Sequence, residues 1–202
     1  MSTTLKPNRS DSAALYVAIA FGVGAAVWTI IHAIERIAVI VTNRDVPITA
    51  SFVDTPATLP IGPGGADVPV VVEQVVFQTS GMPGITIASL LLAEIVFALA
   101  VLVTITCVCL VIRNLIRGRA FDRSTVGLVG TATLTVAIGW VLTSLFTTMA
   151  ANGGTSALSG GAADNTLMQV DPVFLFGIGS LGALTVAFQA GARLQKDTEG
   201  LV

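Results

Sequence analysis

Four long apolar runs constrain this chain more than any other feature, because each is long enough to cross a bilayer. A hydrocarbon core about 30 Å thick takes roughly 20 residues of helix at about 1.5 Å rise each. The runs fall at about 13–41, 85–112, 124–151 and 172–192. The third and fourth carry no charge, the second carries only Glu94, and the first is uncharged until Glu35 and Arg36 near its end. No water is present inside a bilayer to satisfy backbone groups, so lipid-crossing segments of this kind are helices, and four of them pack as a bundle. Composition agrees: 53% of the residues are hydrophobic and 11% charged, outside the range of water-soluble domains. The sequence therefore predicts an all-α membrane protein, a four-helix transmembrane bundle in one integral membrane domain over residues 1–202, in contact with membrane lipid.

The first run follows Lys6 and Arg9, as the apolar part of a secretory signal would. It is longer than the usual h-region of about 7 to 15 residues, and no small-x-small cleavage site separates it from "IIHAIERIAVIV". We read it as an uncleaved first span.

Charge placement then sets the threading. The segment "VIRNLIRGRAFDR", at 111–123, holds Arg113, Arg117, Arg119 and Arg123, out of ten Lys and Arg in the whole chain. Arginine and lysine flanking transmembrane helices stay on the cytoplasmic side, so the turn at about 113–123 is expected to be cytoplasmic. Four spans put both termini on that side, together with Lys6, Arg9, Arg193 and Lys196. The expected outer loops are about 43–84 and 152–171. A net charge of -2 gives no basic surplus of the kind that nucleic-acid partners require, so direct nucleic-acid binding is not expected.

The loops differ in kind. The first is long and partly extended: "TPATLPIGPGG" disfavours regular structure, whereas the valine-rich "VPVVVEQVVFQ" is suited to a small strand or hairpin. The second, "ANGGTSALSGGAADN", is small and polar and reads as flexible linker. Small residues let helix backbones approach in lipid. Ala14, Ala18, Gly22 and Ala26 form one such stripe, and Gly179 with Ala183 repeats the spacing in the fourth run. We read both as packing within the bundle, with a homo-oligomer seam as the alternative.

Polar residues inside the spans are the candidate functional groups. Glu94 lies about 14 Å along the helix axis from Ile85, too far for its short side chain to reach the outer surface. Desolvation opposes a lone carboxylate there, which leaves two readings: a proton or cation site, or a structural group, protonated or paired with arginine, that ties two helices together. The partner group is "HAIER", with His32 one turn from both Glu35 and Arg36 and with Arg36 able to reach inward. Cys107 and Cys109 point to opposite sides of a helix and behave as small apolar residues. The sequence contains no Walker A loop, dinucleotide fingerprint, HExxH or nucleophile elbow, and His32 is its only histidine. No catalytic residue, metal site or cofactor is expected, and the chain is read as a non-enzyme.

Two cytoplasmic stretches carry a family resemblance. "IRGRAFDRSTVGLVG" and the terminal "FQAGARLQKDTEGLV" resemble the bacterial four-span membrane family described as domain of unknown function 2975. Gly118 and Phe121 match its Gly-x-x-Phe turn, and Phe188, Gly191, Leu194, Gln195, Asp197, Glu199 and Val202 match its tail. Gly200-Leu201-Val202 stands where many relatives have Leu-Thr-Val, and the match covers the second to fourth spans best. The resemblance implies a multi-pass protein of the bacterial plasma (inner) membrane whose cytoplasmic regulatory partner is a small helix-turn-helix protein. The docking surface it implies comprises Arg117, Gly118, Arg119, Phe121 and Arg123 with Gly191, Leu194, Asp197 and Glu199. The alternative function is a small proton- or cation-linked transporter or channel-like module centred on Glu94.

Overall fold

A computed structural model describes residues 9–119, 122–161 and 172–199. Helices α1 (Arg9–Thr42), α2 (Gly84–Ile116), α3 (Arg123–Ser159) and α4 (Pro172–Glu199) carry most of them, and strands β1 (Val46–Leu59) and β2 (Val68–Thr79) join α1 to α2. All four helices are long and apolar enough to cross a membrane. Their surfaces agree with that reading: Phe21 is 81% exposed, Phe176 77% and Trp28 66%, and large apolar side chains so open on long helices match a lipid surround better than water.

Two compact units share these helices. One holds α1 up to Ala33, α2 from Val96, α3 up to Val141, and α4. Small residues govern its packing. A Cβ on Gly22 of α1 would stand 2.9 Å from the Cys109 sulfur of α2, and one on Gly139 of α3 would collide with Ala100 of α2. Helix α4 joins through a Thr133–Thr185 hydroxyl pair at 3.0 Å and a Trp140–Phe174 stack with centroids 4.7 Å apart. The predicted small-residue stripes are used only in part: Gly22 and Ala26 are partly covered, whereas Ala14, Ala18, Gly179 and Ala183 are exposed. In α4 the packed face is instead the one bearing Phe174 and Thr185, because ring and hydroxyl contacts select it.

The other unit holds α1 from Ile34, both strands, α2 up to Ile95 and α3 from Leu142. Its core is Ile40, Val46, Ile48, Ala50, Met82, Leu90, Ala150 and Ala151, bordered by Phe52, Phe77, Ile87 and Leu91. Three sequence expectations change here. The fold is not all-α, because the first loop, expected to be partly extended, is a two-stranded antiparallel ribbon whose β2 is the valine-rich stretch read as suited to a strand. The stretch "TPATL" lies within β1, with Pro56 opposite Val71; a proline is tolerated because both strands of a two-stranded ribbon are edges. The alternation Val46, Ile48, Ala50 turns three buried side chains to one face, which fixes the register. That register breaks where Phe52, Val53 and Asp54 stand opposite Glu73 alone, a bulge between Ser51 and Thr55.

The third change concerns α3, which continues through Ser159 where flexible linker was expected. Gly153 and Gly154 explain it. A Cβ on Gly153 would collide with Thr86, and one on Gly154 would lie 2.6 Å from Ile48 Cδ1, so these glycines allow α3 to approach α2 and β1 closely. The helix ends at Gly160 and Gly161, both at positive φ, with the Gly161 N–H donating to Ser156 O at 3.0 Å.

Candidate functional site

Glu94 has a partner. Its Oε2 lies 3.9 Å from Nε of Arg36, with the side chains 16% and 30% exposed respectively. The separation is that of an ion pair and exceeds hydrogen-bonding distance. Arg36 stands two turns before the end of α1 and Glu94 three turns into α2, and the hairpin between them brings these helix ends together. The other two polar residues of "HAIER" are placed elsewhere. Glu35 is exposed, and His32, also exposed, stacks on Trp28 with ring centroids 5.3 Å apart and planes 3° from parallel. A stacked Trp–His pair on an open helix face suits the layer where a bilayer meets water. Among the described residues no group of three or more His, Cys, Asp and Glu is placed to hold a metal ion.

The joints flanking this pair are tied down by polar contacts that the sequence reading missed. Asn43 ends α1 in the left-handed region, φ 49°, and its side chain bonds both ways to Met82: Nδ2–H donates to Met82 O at 3.2 Å and Oδ1 accepts from Met82 N–H at 2.9 Å. Asp45, φ 48°, donates its N–H to Ser80 Oγ at 2.8 Å. Asn and Asp are the residues that tolerate this conformation best after glycine, so "NRD" directly after an apolar helix was the available signal.

The second candidate surface is the arginine turn. Helix α2 closes with Gly118 at φ 72°, its N–H donating to Leu115 O and the Arg119 N–H to Asn114 O, each at 2.9 Å. This pairing is the Schellman termination, whose left-handed position glycine fills without the Cβ penalty. Thr125, 0% exposed, pins the far side: its hydroxyl donates to Arg119 O at 2.9 Å and accepts from Asn114 Nδ2–H at 3.0 Å. The backbone of Gly118 and Arg119 is thus held from both helices, while Arg113, Arg117, Arg119, Asp122 and Arg123 are all exposed. Phe121 lies outside the described residues. Gly191 is half-buried on α4, Arg193 and Leu194 are exposed, and Asp197 and Glu199 fall on its last turns.

No family model, curated protein or solved structure matches the chain.

Proposed function

We propose that this chain is a non-enzymatic interaction protein of a bacterial inner membrane, with the arginine turn and the end of α4 on the cytoplasmic side. The observation that carries the reading is the pinned turn. A Schellman termination and a buried threonine hold the backbone of Gly118 and Arg119 while four arginines remain exposed, and a fixed display of like charges on the same side as the end of α4 suits a surface that binds an anionic group, of protein or lipid, where a partner docks. A cytoplasmic regulatory protein, in the size class of a helix-turn-helix regulator, fits the resemblance of the turn and tail.

The transport alternative has less support. At 33 residues, α2 is about 50 Å long, well beyond the roughly 20 residues that a hydrocarbon core takes. Counted inward from Arg113 at the end taken as cytoplasmic, such a crossing is complete near Glu94, so under this threading the carboxylate lies at the outer boundary of the lipid and not about 14 Å inside it, as a span starting at Ile85 implies. Arg36 beside it supplies the counter-charge there, so no transported cation is needed to balance it.

Cross-linking in native membranes followed by mass spectrometry tests the reading. The full chain is expected to capture a cytoplasmic protein that a chain ending at Arg193 does not, with membrane insertion unchanged. A proton or cation flux in liposomes that Glu94→Gln abolishes would instead establish transport.

A further inference from the structure

We infer that the arginine turn is a seat for anionic phospholipid headgroups, so that within the interaction surface the turn holds lipid and the end of α4 is left to the protein partner. The inference rests on the cytoplasmic placement proposed above and names the occupant of one part of that surface. Three observations support it. First, Arg113, Arg117, Arg119 and Arg123 are exposed within a single helical connection, with Asp122 as the one carboxylate among them. Second, that connection joins two helices long and apolar enough to cross a membrane, and the proposed threading, with α2 entering the lipid at Arg113, puts its side chains beside the headgroups of the inner leaflet. Third, all four cations are arginines. A guanidinium presents a planar fork of donors that matches phosphate oxygens two at a time, which an ammonium does not.

The pinned backbone adds what a flexible basic segment lacks. Asn114 and Thr125 fix the carbonyl of Arg119, and Gly118 sets the turn with φ 72°, so the stems of Arg117 and Arg119 leave from set positions. Less ordering is then lost when they close on a headgroup. An acidic protein surface is the competing occupant. It has to reach these arginines through the headgroup layer, whereas lipid phosphates are already there at high local concentration.

The test uses the full chain purified in a mild non-ionic detergent. Native mass spectrometry would compare retained phosphatidylglycerol with phosphatidylcholine supplied in equal amounts. The unmodified chain is expected to retain phosphatidylglycerol preferentially. Arg117→Gln/Arg119→Gln is expected to lose roughly thirtyfold of that preference, two arginine charges near an anionic surface at about 1 kcal/mol each. Arg44→Gln, which removes an exposed arginine from the joint between α1 and β1, is expected to retain it, separating a local seat from net charge. Equal retention of the two lipids by the unmodified chain would overturn the inference, as would an equal loss in Arg44→Gln. It would also fall if Arg117→Gln/Arg119→Gln kept its lipid preference but lost a protein cross-link in native membranes. Because lipid retention in detergent does not depend on threading or on the α4 partner, its failure is distinguishable from failure of the proposed function.

Discussion

Glu94 and Arg36 sit on different helices, so their attraction acts between elements and not within one. Both are mostly covered, so the pair is screened less than a surface pair, yet at 3.9 Å without a hydrogen bond it falls short of a tight buried bridge. Removing one charge leaves the other half-buried and unbalanced, which costs more than removing both. Arg36→Gln alone is therefore expected to lower stability by about 1–2 kcal/mol, and Glu94→Gln is expected to restore part of that loss in the double variant, with a coupling of about 1 kcal/mol. Thermal unfolding of the four proteins in the same detergent measures it; strictly additive losses would show that the pair contributes nothing. The pair was one of the readings the sequence left open for Glu94: it lies within an apolar run where an arginine partner is one way to hold a carboxylate, and Arg36 of "HAIER" was the candidate that the structure brings to 3.9 Å. The Trp28–His32 stack was not readable, since ring orientation on an exposed face leaves no periodic signal.

At the scale of elements, the spans were legible and their ends were not. Apolar periodicity and length report where lipid or a core contacts a helix, but they do not distinguish the two. The last part of α3 is polar enough to resemble a linker, yet it is helical because Gly153 and Gly154 admit Thr86, Ile48 and Phe77 against its backbone. The ribbon was partly legible from its valines, whereas β1 was hidden by its prolines and by the bulge before Thr55. If close approach is what holds the end of α3, glycine's value depends on position. Gly153→Ala places a methyl against Thr86 and is expected to cost about 1–3 kcal/mol. Gly127→Ala, in the same helix with open space around it, is expected to gain about 0.5–1 kcal/mol through helix propensity alone. Opposite signs in thermal unfolding would support the packing account; two gains would show that α3 does not need the contact. The double variant Gly153→Ala/Thr86→Ala should recover part of the loss, because it also removes a buried hydroxyl without a hydrogen-bond partner among the described residues.

For the whole molecule, the threading decides which surface meets which compartment. The turn before α3 carries four arginines and the ribbon between α1 and α2 lies one helix away along the chain, so a single crossing by α2 must separate them. The proposed threading, which rests on charge bias, puts the turn in the cytoplasm and the ribbon outside. Single cysteines test this directly, in a chain whose own Cys107 and Cys109 are first replaced by alanine. Ala66→Cys lies beside the turn at Pro63–Gly65 and Asp122→Cys lies in the arginine turn, both at exposed positions. A membrane-impermeant maleimide applied to intact inner-membrane spheroplasts is expected to label Ala66→Cys at once and Asp122→Cys only after lysis. The reverse order would place the arginines outside, remove the anionic inner leaflet as their counterpart, and leave the α4 end unable to meet a cytoplasmic partner. Labelling of both before lysis would mean that α2 does not cross at all; its apolar faces would then have to be buried against another protein, because the core formed by Ile40, Ile48 and Leu90 covers only its first turns.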